Sequence, residues 1–195
     1  MILFTICLFG LCFQAKATHI VGGEITYKYQ SEDQNGNNVY QITVSIYQDC
    51  LTGLPAAISQ DNPAIISIFN LDDTTMPYTY SSDIKDEDNV TIVPPNFSNS
   101  CVKNPPQLCL RRTSFVFTES LPKNQKGYRV VYQRCCRNAS ILNIINPSQQ
   151  GVTYDCTIPA ATYNNSAVFK NYPPQIICIN NPLVYDHGAN DPDGD

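Results

Sequence analysis

The sequence predicts an all-β protein: a disulfide-stapled antiparallel β-sandwich, followed by the start of a second β-module. Three observations carry that prediction. Apolar and polar residues alternate in several separate runs, which is the period of a strand with one buried face. Clusters of Pro, Gly and Asn fall between these runs at the spacing of sandwich turns. No stretch keeps a helical 3.6-residue period over ten residues without a breaker.

Taken in chain order, residues 20–29 are the first candidate strand, with a glycine bulge at Gly22-Gly23. Tyr40, Ile42, Val44 and Ile46 then alternate with Gln41, Thr43, Ser45 and Tyr47. Phe115 and Phe117 alternate with Ser114, Val116 and Thr118, and Tyr128, Val130 and Tyr132 with Arg129, Val131 and Gln133. Residues 64–69, 140–145, 152–158, 168–172 and 175–179 complete the set of predicted strands. Turns are expected at 33–38, 94–96, 122–127 and 164–166, where Pro, Gly, Asn and Asp concentrate. Neither an internal repeat nor a low-complexity tract is visible.

The chain has 195 residues with a formal net charge of −5, and only 15% of its residues are charged. That charged share is low against the roughly 25% of average soluble domains. An acidic chain with scattered Lys and Arg does not neutralise phosphates, which argues against nucleic acid as a partner. Two histidines leave little material for a His-based catalytic or zinc site. Residues 1–13 form an apolar run too short for a bilayer, which takes about 20 residues. Gln14-Ala15-Lys16-Ala17 supplies small residues at −3 and −1 of a cut after Ala17. Residues 1–17 therefore read as a secretory signal, although no Lys or Arg precedes its apolar core. No other segment has membrane-spanning length, so the mature chain is expected outside the cell.

Seven cysteines follow the leader: Cys50, Cys101, Cys109, Cys135, Cys136, Cys156 and Cys178. In an oxidising compartment they are disulfide candidates rather than zinc ligands, since no C-x-x-C pair exists. Cys101 and Cys109 bracket Pro105-Pro106 and are expected to form a local staple worth about 2–3 kcal/mol. Neighbouring side chains in a strand point to opposite faces, so Cys135 and Cys136 are expected to take different partners. A long bridge from Cys50 to one of that pair would contribute about 4–5 kcal/mol. An odd number leaves one thiol free or paired outside the chain.

Near Pro173-Pro174 the texture changes, which places a sandwich at 18–174 and a linker with the start of another module at 175–195. The last ten residues hold four of the seventeen acids, and the chain is expected to be the head of a longer protein. In Asp191-Pro192-Asp193-Gly194-Asp195, carboxylates at every second position point oxygens into one small volume when the chain loops. A hard cation relieves their repulsion; calcium takes six to eight oxygens, whereas magnesium demands a tight octahedron. Asp191, Asp193 and Asp195 are thus the candidate ligands of an incomplete calcium site, with Asp186 and the Asn190 carbonyl as further donors. The competing reading is a solvated acidic linker.

Other motifs carry less. Ile20-Val21-Gly22-Gly23-Glu24 resembles the activated N-terminus of trypsin-like proteases. After His19 the only histidine is His187, and there is no Gly-Asp-Ser-Gly loop, so no catalytic set can be assembled. Tyr40, Tyr47, Tyr128, Tyr132 and Tyr154 offer either a carbohydrate platform or core and rim of a sandwich. Arg111, Arg112, Arg134 and Arg137 read as surface or carboxylate-paired groups. Asp72-Asp73 and Asp86-Glu87-Asp88 read as solvated turns rather than a glycosidase dyad.

Several strings together resemble a known group: Ala17-Thr18-His19-Ile20-Val21-Gly22-Gly23-Glu24-Ile25-Thr26-Tyr27, Ile46-Tyr47-Gln48-Asp49-Cys50, Tyr132-Gln133-Arg134-Cys135-Cys136-Arg137-Asn138, Pro173-Pro174, and the stretch 186–195. Their order and spacing resemble the N-terminal region of large gliding-motility-associated surface proteins of Gram-negative bacteria that use type IX secretion. The resemblance implies β-sandwich modules, PKD-like or cadherin-like, and a structural or adhesive surface role without catalytic residues. It also implies calcium-ligand roles for Asp191, Asp193 and Asp195 in a truncated cadherin-like module, and it marks Cys156 as the unpaired thiol.

The leading expectation is therefore a non-catalytic adhesive module with a calcium-stiffened linker. Its partners would be downstream modules of the same polypeptide, with surface polysaccharide or other cell-surface proteins beyond them. A carbohydrate-binding module and a secreted hydrolase are the alternatives. For the tail alone, an Asp-rich thrombospondin-like calcium repeat competes with the cadherin-like module.

Overall fold

A computed structural model describes residues 19–53, 62–73, 75, 78–82, 90–97, 101–160 and 163–194. The expected leader and the Asp86-Glu87-Asp88 turn lie outside these residues, as does Asp195. The chain is all-β. Eight strands form two four-stranded antiparallel sheets: β1 (Ile20–Glu32), β2 (Asn38–Asp49), β3 (Ala64–Asn70), β4 (Tyr78–Ser82), β5 (Val90–Val93), β6 (Leu110–Leu121), β7 (Tyr128–Cys135) and β8 (Gly151–Ile158). One sheet has the order β1-β2-β6-β5 and the other β4-β3-β7-β8. Lettered A to G with C′ as the fourth strand, this is the ABED and C′CFG arrangement of immunoglobulin-type sandwiches, an architecture that by itself specifies no activity.

The alternation seen in the sequence sets the two faces. Ile42, Val44 and Ile46 of β2 and Phe115 and Phe117 of β6 turn inward from one sheet, and Ile66, Ile68, Val130 and Tyr132 from the other, joining one buried cluster. The outer face of the first sheet holds Ser45, Tyr47, Arg112 and Ser114 instead. Val44 lies opposite Phe115 and Ile42 opposite Phe117, so register places like with like. The β1–β2 register shifts between Ile20 and Gly22, but the residue left unpaired is Val21; Gly22 and Gly23, where the bulge was expected, pair with Tyr47 and Ile46. Gly23 is needed for a different reason: a Cβ there would lie 2.6 Å from the Tyr154 ring of β8. At the β6–β7 turn the Tyr128 hydroxyl donates to the Pro122 carbonyl at 2.7 Å, the bond of a tyrosine corner.

Two predicted strands are absent. Residues 140–145 form an irregular loop ahead of a short 3-10 turn at Pro147–Gln149, and 175–179 join no sheet. The predicted strand at 168–172 is reduced to β9 (Val168–Phe169), which pairs with β10 (Ala189–Asn190). After β8 the chain lies across the polar face of the first sheet, where Tyr172 meets Tyr47 edge to face at 6.1 Å.

The disulfide pairs differ from those expected. Cys50 bonds Cys109, Cys101 bonds Cys178, and Cys135 bonds Cys136. Cys109 is not stapled to Cys101, because it immediately precedes β6, where Leu110 faces Asp49 of β2 and Cys109 therefore meets Cys50. The alternation argument for Cys135 and Cys136 fails because β7 ends at Cys135, so Cys136 is no longer held in the pleat. Cys156 is the free cysteine among the described residues, on β8 and packed against the core.

Candidate functional site

The sandwich gathers three loops at one end: those following β2, β5 and β7. Cys50–Cys109 ties the first to the second, and the Cys50 amide also donates to the Cys109 carbonyl at 3.0 Å. The third is tied by Asn138, whose side-chain amide donates to Asp49 Oδ2 at 2.7 Å and whose backbone N–H donates to the Ile20 carbonyl at 2.9 Å. His19 closes the group, its carbonyl accepting the Asp49 N–H at 2.8 Å. Asp49 also accepts the N–H groups of Leu51 and Thr52 at 2.9 and 3.0 Å, and the Thr52 hydroxyl. Burial acts to raise this carboxyl, but the bonds from Thr52, Asn138 and Leu51 outweigh it and hold the group below the usual range. Beneath, Thr113 Oγ1 donates to Gln48 Oε1 at 3.0 Å inside the core.

This hub brings together His19-Ile20, Gln48-Asp49-Cys50 and Arg137-Asn138, three strings far apart in the chain. No spacing rule pointed to Asp49 and Asn138 as partners; only their places within unusual strings set them apart.

The second candidate is the acidic stretch at 186–194. It is folded back on the sandwich. Asn165 donates to Asp193 through its backbone N–H at 2.5 Å and its side-chain amide at 2.7 Å. The same Asn165 accepts the Tyr29 N–H at 2.8 Å, and Ser166 Oγ accepts the Tyr27 N–H at 2.9 Å. Asn165 and Ser166 thus satisfy donors along the free edge of β1, as an edge strand requires. Asp191 Oδ1 accepts the N–H groups of Asp193 and Gly194 at 2.8 and 3.2 Å, which closes the loop on itself. Asp186 caps Gly188 in the same way at 2.8 Å.

As calcium donors, Asp191 and Asp193 fit in kind, being hard carboxylate oxygens. They do not suffice in number: among the described residues no group of three His, Cys, Asp or Glu side chains is placed to hold a metal. Asp195, the third expected ligand, lies outside the described residues. The segment 175–194 is held to the rest of the chain at further points. Gln175 accepts the Asn96 N–H at 2.9 Å, Cys178 bonds Cys101, and the Tyr185 hydroxyl donates to the Asn171 carbonyl at 2.6 Å.

No protein-family model, curated protein or solved structure matches the chain.

Tyr40, Tyr47, Tyr128, Tyr132 and Tyr154 do not make an exposed planar row. Tyr40 and Tyr132 are each 1% exposed and Tyr128 is buried, while Tyr47 and Tyr154 are half-buried. Burial pushes the Tyr154 hydroxyl up to about 12. Burial and then the bond to Glu24, 2.8 Å away, push Tyr47 up as well. Arg112 lies between Glu24, at 3.7 Å, and the Ser45 hydroxyl, at 2.9 Å, and also reaches the Tyr172 hydroxyl at 3.4 Å. Arg129 pairs with Asp155 at 2.8 Å across β7 and β8. Asp72 accepts the Gln125 N–H at 2.9 Å and Asp73 the Thr75 N–H at 3.0 Å, each acting as a turn cap.

Proposed function

We propose that the chain is a non-catalytic, shape-holding module of an exported cell-surface protein, with an adhesive or structural role. Its acidic stretch at 186–195 serves as a junction stiffened by calcium. No helix among the described residues is long and apolar enough to cross a membrane. Three cysteine pairs at bonding distance are in keeping with an oxidising compartment.

The observation that carries the reading is the path from Asp193 through Asn165 to Tyr29. The acidic loop is not a free tail, because Asn165 binds Asp193 with two donors and β1 with its acceptor. A cation held by Asp191, Asp193 and Asp195 would draw the loop tight against a point fixed to the sandwich. Its charge would offset the repulsion among the carboxylates, and the angle between this module and its neighbour would then be set by the sandwich edge.

The experiment is limited proteolysis of the exported polypeptide in calcium and in chelator, read by mass spectrometry. Cleavage within 186–195 should slow with calcium, and substitution of Asp191 by Asn should remove the difference. Equal cleavage under both conditions would overturn the calcium junction.

A further inference from the structure

The loop between β7 and β8 presents an aliphatic tip that the sandwich does not use. Leu142 is 96% exposed and Ile145 is 84% exposed, with Ile141 and Ile144 beside them. Leu51, on the neighbouring loop after β2, is 51% exposed and is joined to the same end through Asp49 and Asn138. Single exposed leucines are ordinary, but several at one end of a domain mark an interaction surface.

The tip stands on a firm base. Arg137 N–H donates to the Gln150 carbonyl at 3.1 Å, and the Ile141 N–H donates to the Asn138 carbonyl at 3.2 Å. Asn146 takes φ of 50°, turning the chain into the 3-10 turn at Pro147–Gln149. The aliphatic side chains are therefore presented outward rather than folded under. A protein partner would have to offer a pocket matched to this convex tip; the acyl region of a lipid surface accepts it without one.

Charge points the same way. Between Gln133 and Tyr154 the charged residues are Arg134 and Arg137, in a chain of net charge −5. Arg137 sits at the base of the loop, its Nε donating to the Gly151 carbonyl at 3.1 Å. Aliphatic side chains at a tip, amides of Asn143, Gln149 and Gln150 around it and cations at its base follow the layering of acyl chains, polar headgroups and anionic phosphates. The geometry points to docking of this loop end on an anionic lipid surface, with Leu142 and Ile145 inserted and Arg134 and Arg137 at headgroup level.

The test uses the exported chain with vesicles of phosphatidylcholine alone and of phosphatidylcholine with phosphatidylglycerol, read by co-sedimentation at low and moderate salt. Binding is expected to the anionic vesicles and to weaken with salt. The double substitution Leu142→Asn and Ile145→Asn should reduce it by at least about tenfold. Because both side chains are exposed, the thermal midpoint should hold and separate lost docking from lost folding. A second variant, Leu142→Trp, places a tryptophan in a chain that has none. Its emission should shift to the blue with anionic vesicles and be quenched by brominated acyl chains. Absence of vesicle binding, binding indifferent to lipid charge, or binding unchanged in the double variant would overturn the proposal. Self-association that disappears in the double variant, without vesicle binding, would overturn it in favour of a second copy.

Discussion

Asn138 donates its side-chain amide to Asp49 Oδ2 at 2.7 Å, and this bond joins the end of β2 to the segment that follows β7 in the opposite sheet. The two residues are 89 positions apart. Asn138 is 2% exposed, and its own Oδ1 accepts the Ser140 N–H at 2.8 Å. Replacing it with Ala leaves a carboxylate oxygen and a backbone N–H short of partners. Asn138→Ala is expected to cost about 1–3 kcal/mol in urea unfolding at neutral pH. A midpoint equal to that of the parent chain would show that water replaces the amide without loss.

The β1–β2 turn gives a pH dependence of known sign. Asp33 is held at about 2, against 3.8 for a free side chain, by the Ser120 hydroxyl first and then by the Asn37 and Asn35 donors. The folded carboxyl is more acidic than the unfolded one, so its contribution to stability is present above pH 4 and disappears as pH falls toward 2. Asp33→Asn should flatten that part of the stability curve and place the neutral-pH midpoint below that of the parent chain, by a modest amount because the carboxylate is only partly shielded from solvent. Thermal midpoints of the two chains between pH 2 and 5 check this. Parallel curves would mean that the turn does not hold the carboxylate in solution.

The central strands were readable because each has one buried face: apolar residues recur at every second position over Tyr40–Ile46 of β2, Phe115–Phe117 of β6 and Tyr128–Tyr132 of β7. The short strands were not. In β5 only Val93 is buried, and β10 has two residues, so no period can emerge. Residues 140–145 failed in the other direction. Their aliphatic run reads as a strand, but Asn143 and Asn146-Pro147 interrupt it and no neighbouring edge receives it, so it becomes an exposed tip. Cysteine pairing was hidden for a related reason. Cys101 and Cys109 are close in sequence, but the strand order sets Cys109 beside Cys50, and sequence proximity carries no information about strand order. At the acidic end the Asp spacing was visible, whereas the clamp by Asn165 was not, because it depends on where the β8 connection crosses the edge of β1.

The tyrosine corner allows a clean hydroxyl deletion. Tyr128→Phe keeps the buried ring and removes the donor to the Pro122 carbonyl at 2.7 Å. The expected loss is about 0.5–1.5 kcal/mol, or a fall of a few degrees in thermal midpoint for a chain of this size, roughly 2–4 °C per kcal/mol. Differential scanning calorimetry measures it. A larger loss would mean that the ring itself shifts, which crystallographic or NMR comparison would reveal.

Cysteine accounting tests the covalent framework as a whole. Pairing of Cys50–Cys109, Cys101–Cys178 and Cys135–Cys136 leaves Cys156 as the free thiol among the described residues. Burial, with a smaller contribution from Asp155, pushes that thiol up to about 12, so little thiolate forms at pH 8. Iodoacetamide should leave Cys156 of the folded chain nearly unmodified and label it once the chain is unfolded without reductant. Peptide mapping should then find the 50–109 and 101–178 cross-links and an intact 135–136 pair on one peptide. Of the bridges, Cys50–Cys109 spans 59 positions and should contribute about 4 kcal/mol on the chain-entropy model. The paired substitution Cys50→Ser with Cys109→Ser is therefore expected to lower stability by about that amount. A pair joining Cys50 to Cys135 or Cys136 in the map would break the assignment, since it would require β2 and β7 to meet end to end rather than through Asp49 and Asn138.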